Sequence, residues 1–202
     1  MKIRDLKKSI ADGDLDTAFA ARCGIPRDKL DRERSRALHC ADLFGDRYGG
    51  ERDVMLLSVS GRSEISGNHT DHNYGRVIAA AVSLDVLAVA APREDGVVRI
   101  FSEGFGEDAV SPEDIGQPNP ADFFQSRAII AGMERAFVDA GYGIGGFDAV
   151  MTSTVRGGSG LSSSAAVEVL LCAIFDELYN GNKLDAKQRA RISQYAENVY
   201  FG

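Results

Sequence analysis

The stretch "RGGSGLSSSAAVEVLLCAIFDELY", Arg156 to Tyr179, places a glycine-rich turn directly before a nearly uninterrupted apolar run. The apolar residues from Ala165 onward predict a buried helix, so the serines before them fall at its N-terminus. Free backbone N–H groups and the positive end of the helix dipole converge there, and glycines let an anion approach the main chain closely. The stretch therefore predicts a phosphate-binding loop joined to a core helix.

Three other interpretations of this turn can be compared on the residues alone, and two of them stay open. The lysine of a Walker P-loop is absent, which excludes that motif. The run from Gly157 to Leu161 matches the G-x-S-x-G nucleophile elbow except at its fifth position, so a serine hydrolase with Ser159 as nucleophile is one alternative. A plain glycine–serine turn that caps a helix is the other.

A second polar stretch, "GRSEISGNHTDHNYGRV" from Gly61 to Val77, lies between two apolar runs. The runs "DVMLLSV" before it and "VIAAAVSLDVLAVAA" after it are typical of buried strands. Polar loops carried on rigid strands commonly form binding sites, and we expect one here. The trio His69, Asp71 and His72 suggests a metal site as an alternative, although their spacing matches no familiar metal motif.

Composition limits the classes of partner. The chain has 202 residues, of which 44% are apolar, and a formal net charge of -7. An acidic chain of this kind is not attracted as a whole to nucleic acid or to an anionic membrane, so we expect neither as a partner. Three widely spaced cysteines and the lack of an apolar leader or long apolar run indicate a reduced, cytoplasmic protein without a disulfide framework.

The remaining segments predict an alternation of helices and strands. Helical spacing of apolar residues predicts helices in the first fifty residues, with Gly13 and Gly24 as stops. Asp95-Gly96 is a hairpin signal before a strand at 97–101, and "GGFDAVMTSTV" predicts one further strand.

Two later helices are predicted from their capping residues. One helix is predicted to start with Asn119 as N-cap and Pro120 at its first position, to end at Gly141, and to bury a stripe containing Phe124. The last helix has Asp185 as N-cap, with Gln188 completing a capping box. Its predicted buried stripe consists of Ile192, Ala196 and Val199.

Taken together, the two polar stretches resemble the GHMP kinases. The stretch Gly61 to Val77 is similar to the galactokinase signature, approximately G-R-x-N-x-I-G-E-H-T-D-Y-N-x-G, and "GGSGLSSSAA" is similar to the second GHMP motif. The resemblance implies an α+β fold like the second domain of ribosomal protein S5, with a mixed sheet packed against helices. It also implies an N-terminal helical extension over residues 1–50 and a GHMP kinase N-terminal domain over residues 51–202.

The resemblance also implies a role for individual residues. Arg62 falls on the signature arginine, which in the family stabilises the charge of the transferring phosphoryl group. "YAENVYFG" resembles the A-E-N segment that completes the family's metal site, so Ser164 and Glu197 are the expected Mg²⁺ ligands. The sugar-binding positions are Asn68, His69, Thr70 and Asp71, and the phosphate-loop positions are Gly158, Ser159, Gly160, Leu161, Ser162, Ser163 and Ser164.

The activity implied by the resemblance is ATP-dependent phosphorylation of galactose at its anomeric hydroxyl, with ATP and Mg²⁺ as cofactors. Asn68 replaces the signature glutamate and His72 the signature tyrosine, so a kinase of a related sugar is an alternative. The family's catalytic aspartate is expected just beyond Gly202. We therefore expect an N-terminal fragment or truncated product, inactive alone, or a non-catalytic sugar and nucleotide sensor.

Overall fold

The computed structural model describes residues 1–67, 70, 74–116, 118, 120–155, 157 and 160–201. Its strands are β1 (Met55–Ser66), β2 (Ile78–Pro92), β3 (Val98–Ser102), β4 (Gly106–Val110) and β5 (Phe147–Ser153). They form one five-stranded sheet of order β1-β2-β5-β3-β4. Strands β3 and β5 are parallel, and the other neighbouring pairs are antiparallel. The sheet is therefore mixed, as predicted.

Helices occur before and after the first four strands. They are α1 (Ile3–Ala11), α2 (Asp16–Cys23), α3 (Asp31–Tyr48), α4 (Ser126–Asp139), α5 (Ser163–Phe175) and α6 (Ala186–Tyr195). Helices α5 and α6 each continue into a π-helical segment, Asp176–Asn180 and Ala196–Phe201 respectively. Gly13 and Gly24 adopt positive φ angles of 81° and 64° after α1 and α2, which confirms them as stops.

The sheet is the middle of three layers. One buried cluster joins it to α4, α5 and α6, and a second cluster joins it to α1, α2 and α3. Alternate residues of β2 belong to the two clusters, because successive side chains of a strand point to opposite faces. Those facing the first cluster are Val86, Ala88 and Ala90, and those facing the second are Leu87, Val89 and Ala91. Burial on both faces explains the apolar residues of β2 from Val86 to Ala91, whereas residues 78–81 of the same run are exposed.

The predicted loop from Gly61 to Val77 begins later than expected. Strand β1 does not end at Val59 but continues to Ser66, so Arg62 is a strand residue. Register shifts between Ser60 and Arg62, and again between Glu64 and Ser66, mark bulges in this half of the strand. The bulges accommodate polar residues that a regular, half-buried strand would not favour.

The hairpin predicted at Asp95-Gly96 is wrong. Gly96 does adopt a positive φ of 74°, but β5 lies between the two strands that this turn connects. The hairpin on this side of the sheet joins β3 and β4 through residues 103–105, where Gly104 has a φ of 86°. A turn signal specifies a chain reversal, and it does not specify which strand becomes the neighbour.

The start of α4 also differs from the prediction. The helix begins at Ser126, whereas Pro120–Asp122 forms a separate 3-10 turn and Asn119 lies outside the described residues. Phe124 has a left-handed φ of 63°, which interrupts the helix, and its side chain is exposed. At the other end of the chain, the capping box of Asp185 and Gln188 is confirmed, but Val199 is exposed and does not belong to the buried stripe.

Cys23, Cys40 and Cys172 are all free and buried. Burial raises the pKa of the Cys40 and Cys172 thiols to about 12, so neither is a thiolate near neutral pH. Within the part of the chain that the structure describes, no helix is long and apolar enough to cross a membrane.

We predict a large difference between two neighbouring substitutions on α4. Phe137 is fully buried against Phe175, with ring centroids 5.4 Å apart, whereas Val138 is exposed. Phe137→Ala leaves a cavity and should lower the free energy of unfolding by about 3–5 kcal/mol. The matched control Val138→Ala should change it by less than about 0.5 kcal/mol. Urea unfolding monitored by circular dichroism measures both, and equal losses would contradict the packing described.

We also predict that stability depends on the protonation of Glu134. This α4 carboxyl is fully buried, and its oxygens have no hydrogen-bond partner among the described residues. Burial, and secondarily the charge of Asp114, raises its pKa from 4.5 to about 8. The folded state then binds the proton more tightly than the unfolded chain, so this contribution to stability is complete below pH 4.5 and is lost as the pH rises through 8.

Glu134→Gln should remove this pH dependence and raise the free energy of unfolding at pH 8 by about 1–3 kcal/mol. The reason is that an amide is neutral at every pH, whereas the ionised carboxyl must take up a proton, or be buried with its charge, when the chain folds. The exposed Glu113→Gln on the neighbouring turn serves as the control. Chemical unfolding at pH 5 and pH 8 gives the comparison. An unchanged difference between the two pH values in Glu134→Gln would disprove the assignment.

Candidate active site

The N-terminus of α5 forms one side of the candidate site. Ser162 precedes the helix in a left-handed conformation, with φ 55° and ψ 60°, and its side chain makes no capping hydrogen bond among the described residues. Seven of the thirteen residues of the helix behind it are buried, and none is fully exposed. The first-turn N–H groups and the positive helix end are therefore directed toward the loop, as the sequence predicts for an anion site.

The bulge in β1 brings Arg62 to this loop. The Arg62 N–H donates a hydrogen bond to the Leu161 carbonyl oxygen at 3.1 Å. Gly61, the preceding residue, lies so close that an added Cβ would be 2.9 Å from the same carbonyl oxygen. Two segments almost a hundred residues apart in sequence are thus joined at the backbone, one residue before Ser162.

A cavity of about 270 Å³ opens beside the loop. Its inner walls are apolar and come from the sheet, α4 and α5, whereas Ser163 and Ser164 line the end next to the loop. Phe105 and Phe124, both exposed, lie at its rim together with the carboxylates Glu103 and Asp108. An apolar cavity with polar groups at one end and aromatic rings at its mouth suits a ligand with a flat ring and a charged tail.

Glu197 lies in the π-helical continuation of α6, opposite α5. The two helices run antiparallel, and residues that face each other recur every four positions. Asp176 accepts a hydrogen bond from Arg189 at 2.7 Å. One turn further along, the Cys172 thiol lies beside Ser193, and after another turn Glu168 lies beside Glu197. Glu168 is four residues after Ser164 and on the same helix face. This arrangement places Glu197 near the helix end that carries the serines.

Glu168 lies beside the candidate site and was not predicted from the sequence as a site residue. Its side chain is buried, and its Oε1 atom has no hydrogen-bond partner among the described residues. Burial, and then the nearby Glu197 carboxylate, raises its pKa to about 8. The signal was a single charge inside the apolar run "AAVEVLLCAIF", which is uncommon unless the charge has a partner or a role.

The predicted sugar-binding residues are only partly visible. Thr70 is exposed, and its backbone closes a turn by donating to Gly67 at 3.0 Å and accepting from Gly75 at 2.8 Å. Asn68, His69 and Asp71 lie outside the described residues, as do His72 and the loop residues Gly158 and Ser159. Their assignments stay predictions, and the structure brings Thr70 into no contact with Arg62, Ser164 or Glu197.

Comparison with known proteins places this geometry in a family. Residues 42–92 match the galactokinase galactose-binding signature, and residues 127–202 match the GHMP kinases N terminal domain. The chain is 36% identical over 161 residues to the galactokinase of Streptomyces coelicolor, covering 80% of this chain and 41% of that protein. It is 30% identical over 164 residues to the galactokinase of Bacillus subtilis, covering 79% and 41%.

Solved structures agree with this placement. The crystal structure of Lactococcus lactis galactokinase complexed with galactose superposes with a TM-score of 0.72 at 28% identity, covering 80% of this chain and 42% of that one. The mevalonate kinase of Methanococcus jannaschii gives a TM-score of 0.60 at 16% identity, covering 72% and 46%, which supports the fold alone. This chain spans about two fifths of the length of the curated relatives.

The fold is that of the GHMP kinase N-terminal domain, and the chain belongs to the GHMP kinases. Within this superfamily it corresponds to the N-terminal portion of the galactokinases.

We predict that Gly61→Ala disturbs the loop without unfolding the domain. The new methyl group would meet the Leu161 carbonyl oxygen at 2.9 Å and the Val155 Cγ2 atom at 3.1 Å, so the loop must shift. The matched control is Gly50→Ala, because a Cβ there meets nothing within 4 Å. Binding of fluorescent N-methylanthraniloyl-ATP should weaken about tenfold in Gly61→Ala, which corresponds to about 1.4 kcal/mol. Unaltered binding would show that this contact does not shape the loop.

Proposed function

We propose that this chain forms the ATP- and sugar-binding part of a galactokinase, which transfers the γ-phosphoryl group of ATP to the anomeric hydroxyl of galactose to give galactose 1-phosphate. The observation that supports it best is the backbone contact between Arg62 and Leu161, which sets a cation-bearing strand against a phosphate-binding loop. Phosphoryl transfer depends on positioning and charge neutralisation more than on covalent chemistry, and this contact serves both.

The ATP phosphates bind the backbone N–H groups of the loop that precedes α5, with Gly160 and Leu161 approaching closely and the serines adding hydroxyl donors. Positions Gly158 and Ser159 complete the proposed loop. Arg62 projects from β1 beside it and stabilises charge on the transferring group. The nucleoside occupies the neighbouring cavity, where the apolar walls fit a flat base and Phe105 and Phe124 offer stacking surfaces.

The oxygen atoms of the site are suitable ligands for Mg²⁺. Hydroxyl and carboxylate oxygens are ligands that this ion accepts, and Ser164 and Glu197 would hold it. Glu168, buried beside Glu197, adds a further oxygen without a partner among the described residues, which is consistent with a cation nearby. When bound, the ion neutralises charge between the β- and γ-phosphates.

The sugar binds the loop that connects β1 and β2, through Asn68, His69, Thr70 and Asp71. A carboxylate and an imidazole there hydrogen-bond neighbouring hydroxyl groups. The second candidate function is phosphorylation of a related sugar, because Asn68 and His72 depart from the galactokinase signature. The Asn68 amide has a hydrogen-bond donor, whereas the glutamate of the signature has only acceptors. The arrangement of sugar hydroxyl groups that binds best therefore changes.

The organisation of the chain follows from the same proposal. Residues 1–50 are an N-terminal helical extension and residues 51–202 the nucleotide- and sugar-binding domain, although the helices of the extension pack directly on the sheet. The buried free cysteines fit a reducing, cytoplasmic location.

The first test is binding by the chain itself. N-methylanthraniloyl-ATP should bind in the presence of Mg²⁺, be displaced by ATP, and bind more weakly when Mg²⁺ is removed, because the ion, which Ser164 and Glu197 would hold, would neutralise phosphate charge. Glu197→Gln should lose this Mg²⁺ dependence, whereas the exposed Glu177→Gln should retain it. If the wild-type chain binds no N-methylanthraniloyl-ATP that ATP displaces, the proposed nucleotide site is refuted.

The second test is catalysis. Because the relatives are longer, ADP release is measured with a chimera that continues residues 1–202 with the remaining part of the Lactococcus lactis galactokinase. Arg62→Ala should lower kcat by at least about 100-fold with a small change in nucleotide affinity, because it removes charge stabilisation in the transition state. The exposed Arg4→Ala should behave as wild type.

A panel of galactose, N-acetylgalactosamine, arabinose and glucose identifies the sugar in the same assay. Turnover of galactose supports the first function, and turnover of another sugar the second. Bound ATP without turnover of any sugar, in a chimera that folds, would favour the non-catalytic sensor.

A further inference from the structure

A buried ionic cluster lies where β5 leaves the sheet and the phosphate loop begins. We propose that Asp85 is a positioning residue for this loop, and that α2 and α3 hold Asp85 in place through Arg22 and Arg36. The inference rests on the proposed nucleotide site and assigns a role to the first fifty residues.

The Asp85 carboxylate is almost completely buried on β2. Its Oδ2 atom accepts hydrogen bonds from the Arg22 guanidinium and the Ser58 hydroxyl, and its Oδ1 atom accepts one from Arg36. Glu33 pairs with both arginines, at 3.1 Å and 2.9 Å. Two positive and two negative side chains therefore form a neutral cluster between the N-terminal helices and the sheet.

Thr154 connects this cluster to the loop. It is the first residue after β5. Its hydroxyl accepts a hydrogen bond from the Asp85 N–H at 2.9 Å and donates to the Asp85 carbonyl oxygen at 3.2 Å, with the Asp85 Oδ1 atom as a second acceptor at 3.4 Å. The Thr154 N–H donates to the same carbonyl oxygen at 2.9 Å. One residue of β2 thus fixes the backbone and the side chain of Thr154 together.

The contacts continue from the root of the loop to its far end. The Val155 N–H donates to the Ser153 hydroxyl at 3.1 Å, and the buried Val155 side chain packs on Gly61. From there, the Arg62 N–H reaches Leu161. The loop is consequently held at both ends, by Asp85 at its root and by the β1 bulge next to Ser162.

Stability alone does not account for charge at this position. Replacing a buried ion pair by well-packed apolar residues is often neutral or stabilising, because removing charges from water is costly. Directional bonds to a carboxylate, by contrast, fix the orientation of the groups that donate to them. A cluster that fixes Asp85, whose backbone and carboxylate both contact Thr154, is what a preorganised loop requires.

Two single-hydroxyl variants separate loop positioning from general stability. Thr154→Val removes the hydroxyl that joins Asp85 to the loop, and Ser58→Ala removes a hydroxyl that contacts the same carboxylate from β1, away from the loop. Hydrogen–deuterium exchange of peptides covering 155–164 should accelerate about five- to tenfold in Thr154→Val, as expected for one lost buried hydrogen bond, and stay at the wild-type rate in Ser58→Ala.

The affinity for N-methylanthraniloyl-ATP should fall by a similar factor in Thr154→Val alone. Equal acceleration of exchange in both variants, or none in Thr154→Val, would overturn the inference. If the wild-type chain binds no nucleotide, the proposed function fails, and the exchange comparison still decides whether Asp85 positions this segment.

A third variant tests the contribution of the helices. Arg36→Gln should accelerate exchange in peptides 155–164, whereas Arg32→Gln, an exposed neighbour on α3, should not. If Arg36→Gln exchanges faster only within α3 and leaves the loop protected, α3 does not act through Asp85. Circular dichroism melting confirms that each variant is folded before exchange is compared.

Discussion

The hydrogen bond from the Arg62 N–H to the Leu161 carbonyl is the contact on which the site depends. It forms because β1 bulges after Ser60, which turns one backbone donor away from β2 and toward the loop. Only glycine at position 61 lets the two main chains come this close. A single local irregularity in a strand therefore brings the backbone of Arg62 against the loop that precedes α5.

The layered core holds the rest of the sheet in place around this irregularity. From Val86 to Ala91 strand β2 is buried on both faces, which fixes the segment that pairs with β1 from Met55 to Val59, whereas residues 78–81, opposite the irregular half of β1, are exposed. The pairing is regular from Met55 to Ser60 and irregular beyond it. Packing thus fixes the first half of β1, and the second half extends to the site from a rigid base.

Local patterns in the sequence predicted the helices and strands well, but they predicted less well which strands lie next to each other. The helix from Ser163 and the capping box at Asp185 follow from residue type and spacing, and the structure confirms them, whereas the phosphate loop before that helix stays a prediction. The insertion of β5 between β2 and β3 depends on long-range pairing, which a turn at Asp95-Gly96 does not encode. Likewise, a left-handed Phe124 is set by its contacts with the end of the chain, since its N–H donates to the Phe201 carbonyl at 3.0 Å.

The same limit applies to the buried charges. Glu168 and Asp85 each appear in the sequence as one acid within an apolar run, and nothing nearby shows which residues face them. The partners of Asp85 lie on α2, α3, β1 and just after β5, and the like-charged Glu197 that faces Glu168 lies just after α6. A buried carboxylate is costly without partners, so an acid within an apolar run predicts that tertiary contacts exist. It does not predict which residues make them. Of the buried carboxylates, Asp85 lies at the root of the proposed phosphate loop and Glu168 in the helix that follows it, whereas Glu134, Asp148 and Asp176 are buried in other contacts.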